Sequence, residues 1–393
     1  MHLAEVVQIL IYAAALVVSV LSLTAAVVYW KCLVVPRDEL TANVSLILPL
    51  TGPATDLERL LAALNSQTLL PRRLLIAVES EQDPAYQRAM NLSKGCAFPV
   101  EIVLAGFANF CAQKCWNQIA ALRCVDSIDE AVVFLDADIL PQNWWLSAVV
   151  APLIEGSADI VSGYRWTMVE QWALGAQFIA AIDRPISLLP RFSWTKPAWG
   201  GTLGFTPSAL RILDLEGTLS NTLSDDCTIG DRAAKSGLRV LMRRALLLPT
   251  HLRSDCAGAW QFGRRQAQIV RIYRPGLWWL TLGSISARPA AWILIVSELP
   301  KSDLPLAVAA ALLILSLAGA LVQQAISRQI SCVDSPFTII GQMFLAVLRP
   351  VVDLFFLSMI LAAWRTDSVS WRHVTYTVEG PLAVRVACRA APH

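Results

Sequence analysis

Charge is scarce in this chain. Only 16% of its 393 residues are Asp, Glu, Lys or Arg, while 55% are hydrophobic. Ordinary soluble domains carry roughly 25% charged residues, so the balance excludes disorder, a fibrous repeat and a plain soluble enzyme. Neither sign dominates, since 32 basic against 30 acidic residues leave +2. A nucleic-acid partner would need a basic footprint that is missing here. Histidine is nearly absent at four residues, and the nine cysteines are odd in number and scattered, with no CxxC among them. That excludes a disulfide framework and fits a reducing compartment. Cys111 and Cys115 could share a helix face, but nothing nearby completes a zinc site, so they read as small buried apolar side chains. Finally, no Lys or Arg precedes the first apolar run, which a secretory leader would have.

Long hydrophobic runs are plentiful. Residues 5–30 carry one charge and exceed the roughly 20 apolar residues a bilayer core needs. Lys31 and Arg37 follow that run, which places the N-terminus outside and residue 31 onward in the cytoplasm. Trp30 sits where an interfacial aromatic belongs. Residues 303–326 and 337–363 read as further spans, the second holding Arg349, Pro350 and Asp353. Residues 277–299 are interrupted by Arg288-Pro289 and read as a broken or re-entrant helix. Arg349 and Asp353 are four apart, so one helix can pair them; holding a polar head group or phosphate is the alternative. Four crossings would leave the tail outside, against its Arg365, Arg372, Arg385 and Arg389.

The water-facing middle, residues 43–255, alternates strand-like and helical patterns. NVSLILPL (43–50), RRLLIAVES (72–80), VEIVLAG (100–106) and EAVVFLDADIL (130–140) read as strands, and 56–66 and 112–125 as helices. Such alternation predicts a mainly parallel sheet with ligands at the carboxyl ends of its strands. Asp136 and Asp138 fall at one such end and share a face. Alone, a DxD triplet is more often a pair of solvated loop acids. Behind a buried strand it suits Mg²⁺ or Mn²⁺ shared with a diphosphate.

Two segments downstream fit that chemistry. In SDDCTIGDRAAKSGLRVLM (224–242), Asp225 and Asp226 open a helical pattern that ends at Gly237. They serve either as ordinary acids at a helix start or, for Asp226, as a general base on an attacking hydroxyl. In WQFGRRQAQIVRIYRPGLWW (260–279), arginines alternate with aromatics ahead of an apolar stretch. This is a basic interfacial helix, a diphosphate-binding segment, or both. Residues 172–195 are apolar and aromatic, with Asp183, Arg184 and nearby Trp166, Trp172, Trp194 and Trp199. They read as buried core or as an entrance for a lipid acceptor.

The succession LPLTG, VES, LDAD, GG, SDD and RRQAQIVRIY resembles a family 2 glycosyltransferase of the GT-A fold. More narrowly it is similar to ceramide glucosyltransferase and the bacterial hopanoid-type lipid glycosyltransferases, over nearly the whole chain. The tail WRHVTY (371–376) resembles the WRGxxY ending of that family. The resemblance implies an α/β GT-A catalytic domain, Rossmann-like, plus transmembrane helices. It makes Asp136 and Asp138 the metal and nucleotide motif, Asp226 the base, and Gly200, Gly201 and Thr202 the acceptor side. Lys114 would lie near the donor diphosphate and Pro49 by the uridine pocket. The family's early aspartate has no counterpart; Glu79 or Asp83 could replace it. The QxxRW pattern stands as Gln268-Ile269-Val270-Arg271-Ile272 without its tryptophan, or, aligned through Phe262, as a motif containing Arg265 and Gln268.

The organisation implied is an anchor (1–36), a cytoplasmic catalytic domain (37–257), an interfacial segment (258–276), C-terminal membrane helices (277–364) and a tail (365–393). The implied activity is inverting transfer of a sugar, glucose or N-acetylglucosamine, from a UDP-sugar to the hydroxyl of a membrane lipid, ceramide-like or hopanoid-like. The setting would be a bilayer, the bacterial inner membrane. A processive polysaccharide synthase of the same fold and a non-catalytic membrane scaffold are the rival readings.

Overall fold

The computed structural model describes residues 3–36, 40–170, 173–299, 303–364 and 366–391. Arg37, Trp172 and Arg365, which entered the sequence reading, lie outside the described residues. The chain opens with helix α1 (Leu3–Lys31), then β1 (Val44–Pro49), α2 (Leu57–Asn65), β2 (Arg73–Val78), α3 (Pro84–Leu92), β3 (Val100–Leu104) and α4 (Gln113–Leu122). Next come β4 (Ala131–Leu135), α5 (Trp145–Ile154), β5 (Ile160–Val169), α6 (Leu174–Ser187), β6 (Thr202–Phe205), α7 (Pro207–Leu213), α8 (Leu215–Leu219), α9 (Asp225–Lys235) and β7 (Val240–Leu252). Helices α10 (Cys256–Tyr273), α11 (Pro275–Glu298), α12 (Leu304–Gln329), α13 (Pro336–Val347) and α14 (Arg349–Ala362) follow, and strands β8 (Ser368–Trp371), β9 (Val374–Gly380) and β10 (Ala383–Arg389) close the chain.

These elements form two compact units. A sheet unit holds Val34–Arg165, Arg191–Thr250 and Asp367–His393; a helical unit holds Met1–Leu33, Trp166–Pro190 and His251–Thr366.

The larger sheet runs β3-β2-β1-β4-β6-β5-β7. Strands β1 to β4 are mutually parallel, with Leu46 opposite both Leu74 and Val133. Each residue of β1 and β4 is buried. That is why these strands read as continuous apolar runs: a parallel sheet is covered on both faces. Helix α2 buries Leu57, Leu60, Leu61 and Leu64, one stripe at helical spacing, against that sheet. Strand β6 runs antiparallel to β4, setting Leu135 opposite Thr202. This one reversal brings the glycines before β6 beside the acids after β4. The expected mainly parallel α/β domain is the observed one.

In the helical unit α1, α11 and α12 are long and apolar enough to cross a membrane. Tyr12 and Ala15 pack against Ala291, Ile295, Val308 and Leu312. The expected break at Arg288-Pro289 does not occur, and α11 is continuous through Pro289. The break falls at the other Arg-Pro pair. Helices α13 and α14 meet at 86° around Leu348, so the 337–363 stretch is not one straight helix. Pro350 sits in the first turn of α14, where its missing N–H costs nothing. Helices α6, α10, α13 and α14 share a second core through Ile179, Ile182, Ala259, Leu345, Val352 and Met359. Gly263 permits the α10–α14 approach, because a methyl group there would collide with Met359 Sδ.

Two buried charge clusters tie this unit together. Arg349 and Asp353 pair as expected at 2.9 Å, and Arg288 joins them with two 2.8 Å bonds to the same carboxylate. Arg184 of α6, fully buried, grips Asp334 with two bonds of 2.6 and 2.7 Å. Its remaining donors reach the Thr167 carbonyl. The Asp183-Arg184 part of the 172–195 stretch is therefore core rather than an open entrance.

Removing one partner of a buried pair strands the other charge, at a cost of roughly 3–5 kcal/mol. Asp334→Ala should therefore lower the thermal denaturation midpoint of the detergent-purified protein by several degrees. A midpoint equal to wild type would show that the pair does not hold the unit together.

Candidate active site

The site forms where the reversed strand meets the parallel ones. Strand β4 ends at Leu135, so Asp136 emerges at its carboxyl end and donates its N–H to the Gly201 carbonyl, 3.3 Å. Helix α4 points its first turn at the same place. Lys114 Nζ lies 2.8 Å from Asp136 Oδ1 and 3.0 Å from Asp225 Oδ2. It also donates to the Gly200 carbonyl, 3.4 Å. A Cβ on Gly200 would lie 2.7 Å from Lys114 Nζ and 3.0 Å from Asp225 Oδ1, so a larger residue would displace the ammonium.

Asp225 and Asp226 occupy the first turn of α9, as the sequence pattern predicts. Their environments differ. Asp225 is almost wholly buried and receives Gln118 Nε2 at 2.7 Å besides Lys114. Asp226 is half-buried. Its Oδ1 accepts from Ser224 Oγ at 2.5 Å and Cys227 N at 2.7 Å, and its Oδ2 from Gly200 N at 3.2 Å. These bonds fix its direction and leave lone pairs on Oδ2 for one more proton donor. Asp138 is exposed.

The electrostatics follow from one ammonium among four carboxylates. Burial works against the charge on Lys114, but Asp136 and Asp225 more than offset it and hold the pKa well above the usual value. Burial would raise Asp225 too, yet Lys114 and Gln118 keep it below the ordinary range. Asp136 goes the other way. Burial raises it, Lys114 opposes this, and Asp138 and Asp225 push it further up. The two carboxylates beside the ammonium are therefore shifted in opposite directions. Among the described residues no three His, Cys, Asp or Glu side chains converge on one point. The oxygen-only pair fits a hard divalent cation that completes its shell from water and phosphate.

Lys114, Asp136, Gly200, Gly201 and Asp226 are therefore brought together. Thr202 begins β6, buried, with Trp145 Nε1 donating to its hydroxyl at 3.2 Å. Pro49 ends β1, paired with Ala77 of β2. Arg265, Gln268 and Arg271 all lie on α10 in the helical unit. Gln268 is buried and bonds Thr366, whose carbonyl also receives Arg271 Nη2 at 3.0 Å.

Glu79 is engaged by the tail. It does lie at the carboxyl end of β2, but it is 2% exposed and both its oxygens are taken. Oε1 meets His373 Nε2 at 3.0 Å and Oε2 meets Arg389 Nη1 at 2.5 Å. Asp83 is committed as well, accepting from Thr51 Oγ1, Gly52 N and Ala85 N. Both acids thus have structural partners, Glu79 in the tail and Asp83 in the turn after β1 and the start of α3.

Sequence reasoning noted WRHVTY in the tail but gave the tail no strands and no part in the site. Strands β8 to β10 form an antiparallel meander within the sheet unit. Besides gripping Glu79, Arg389 donates to Gln113 Oε1 at 2.9 Å, and Tyr376 Oη accepts the Gln113 N–H at 3.0 Å. Gln113 immediately precedes Lys114, so the tail clamps the turn that aims the ammonium. Asn117 on the same helix donates to the Leu50 and Ala77 carbonyls, tying β1 to β2. The polar face Gln113, Lys114, Asn117, Gln118 in an otherwise apolar helix was the available signal.

A model of glycosyl transferase family 21 matches residues 7–381. The chain belongs to glycosyl transferase family 21. The wider family 2 resemblance thus narrows to the ceramide-glucosyltransferase-like family, and this family 21 chain is a glycosyltransferase, not a scaffold. No curated protein matches it. Among solved structures it is similar to a mannosyltransferase from Pyrobaculum calidifontis in complex with GDP-Man and Mn²⁺, at 17% identity and TM-score 0.49, covering 90% of this chain and 100% of that one. It is also similar to glucosyl-3-phosphoglycerate synthase from Mycobacterium tuberculosis in complex with Mn²⁺, UDP and glucosyl-3-phosphoglycerate, at 16% identity and TM-score 0.33, covering 55% of this chain and 72% of that one.

Arg389→Met strands the buried Glu79 carboxylate at a cost of about 3 kcal/mol and frees the start of α4. The family 21 enzyme so altered should lose thermal stability and show a raised KM for its donor, with Arg389→Lys recovering part of both. Unchanged stability and KM would mean that the clamp has no bearing on the site.

Proposed function

We propose that this glycosyltransferase moves a sugar, glucose or N-acetylglucosamine, from a UDP-sugar to the hydroxyl of a membrane lipid of the ceramide or hopanoid kind, by one inverting displacement. The observation that carries the reading is that Asp136 of the DxD triplet and Asp225 of the SDD triplet meet one lysine, with Asp226 next in the chain. Asp226 accepts the proton of the attacking hydroxyl as its oxygen bonds to the anomeric carbon and the bond to the diphosphate breaks. Ser224, Cys227 and Gly200 hold that carboxylate in place. Lys114 stands beside Asp136, where the departing phosphate charge would develop, and an ammonium aimed there stabilises it. Asp136 and Asp138 would hold Mg²⁺ or Mn²⁺, which supplies charge neutralisation to the diphosphate. Gly200 and Gly201 leave backbone-only walls on the acceptor side. The nucleoside belongs over the carboxyl ends of β1 and β2, beside Pro49. For Arg265, Gln268 and Arg271 a diphosphate role remains a proposal from the sequence pattern.

Chain topology supports the membrane part. Residues of the tail bond to Glu79, Gln113 and Asn109 within the sheet unit. Segments before α10 and after α14 therefore lie on one side of a bilayer, and the chain between them crosses an even number of times. Helices α11 and α12 provide two crossings, so the bent α13–α14 pair enters and returns. With Lys31 and Arg328 at the cytoplasmic ends of α1 and α12, the catalytic unit and tail are both cytoplasmic. On this reading the basic tail lies on the same side as Lys31.

Asp226→Asn should lower turnover on the order of 10²–10⁴-fold while UDP still binds; wild-type turnover would rule out the base. For the topology, a C-terminal fluorescent-protein fusion should fluoresce and a C-terminal alkaline phosphatase fusion should be inactive in a bacterial host. The reverse pattern would make the bent pair a true span.

A further inference from the structure

Helix α4 carries two pairs of polar side chains, each pair spaced by one helical turn. Gln113 and Asn117 form the first, with Gln113 Nε2 donating to Asn117 Oδ1 at 2.8 Å. Lys114 and Gln118 form the second, one residue further around the helix, and both reach Asp225 on α9. Residues so spaced are neighbours on a helix surface, so each pair presents its groups together.

The first pair is satisfied at both ends. Gln113 Oε1 accepts from Ala108 N and from Arg389 Nη2, each at 2.9 Å, and its Nε2 also donates to the Gly106 carbonyl at 2.8 Å. Asn117 Nδ2 donates to two strand carbonyls. These amides hold the helix to its neighbours. Gln118 differs. It is wholly buried, and its Nε2 donates to Asp225 Oδ2 at 2.7 Å, yet its Oε1 meets no hydrogen-bond donor among the described residues. A buried acceptor without a donor costs stability. Gln118 keeps its N–H on Asp225 at that cost.

The oxygen it meets is the one that matters. Lys114 Nζ lies 3.0 Å from the same Asp225 Oδ2 and 2.8 Å from Asp136 Oδ1. Two donors therefore share one oxygen of Asp225. A second donor stabilises the carboxylate's charge in its own right and so weakens its pull on the first. Without the amide, Lys114 is the only side-chain donor on Asp225 among the described residues, and the ammonium is drawn toward Asp225 and away from Asp136.

We propose that Gln118 is a positioning residue for the donor diphosphate: by sharing Asp225 Oδ2 with Lys114, it keeps the ammonium beside Asp136. The inference rests on the reading that a nucleotide diphosphate lies there. It adds to that site a residue buried too deeply to touch the substrate, acting through a carboxylate and an ammonium.

Calorimetric titration of UDP and of UMP, each with Mn²⁺, into the detergent-purified full chain tests it, because only UDP carries the second phosphate that the ammonium would meet. Gln118→Met removes the amide and keeps the length of the side chain. Gln118→Asn keeps the amide but shortens its reach, and serves should methionine unfold the protein. The expected result is a UDP affinity weakened on the order of 3- to 30-fold, within the range for coupled neighbours, with UMP affinity unchanged. Adding Gln118→Met to Lys114→Met should then weaken UDP no further. An equal loss of UDP and UMP would reduce Gln118 to a structural residue and overturn the inference, as would unchanged UDP affinity or losses that add in the double variant. A wild-type chain that binds neither nucleotide would overturn the donor reading itself, and the inference with it.

Discussion

The Lys114 ammonium is the hinge of this site. Asp136 arrives on a parallel strand, Asp225 on a helix start, and the Gly200 carbonyl on the loop before a reversed strand. Each is within hydrogen-bond distance of the one nitrogen. Without that charge the two segments carrying carboxylates would repel one another. With it, they close. Asp225 also receives Gln118, while Asp136 has Asp138 two residues on.

The same logic recurs away from the site. Glu79 is held by His373 and Arg389 of the tail, and Arg184 by one aspartate. These are fully satisfied clusters, and their function is to fix geometry. The tail shows how stability and catalysis connect: Arg389 and Tyr376 bond Gln113, and the next residue is Lys114. A meander of three short strands at the end of the chain thus sets the aim of a residue at the centre.

How much of this the sequence discloses depends on the range of the interaction. The strands before Asp136 and around β1 to β3 are local apolar runs, and they were legible to within a few residues. So were α2 and α9, whose leucine stripe and acidic start are helix-period signals. The pairing of Arg349 with Asp353 was legible because four residues make one turn. Arg288, 65 residues from Asp353, was not. The two Arg-Pro dipeptides look alike in sequence, yet 288–289 continues a helix and 349–350 starts one. Both arginines bond the same Asp353, so neither the dipeptide nor that contact tells the two apart. The commitment of Glu79 to Arg389 spans 310 residues and leaves no local trace. The tail strands do alternate in burial, but short alternating runs after several apolar helices are easily read as an unstructured end.

The central claim is that the acids after β4 take a divalent cation together with a nucleotide diphosphate. Calorimetric titration of UDP into the purified protein, first with EDTA and then with Mn²⁺, tests it most directly. UDP affinity should tighten at least 10-fold on adding Mn²⁺ to the wild-type protein and stay unchanged in Asp138→Asn. Equal UDP affinity with and without the metal in the wild-type protein would contradict the account.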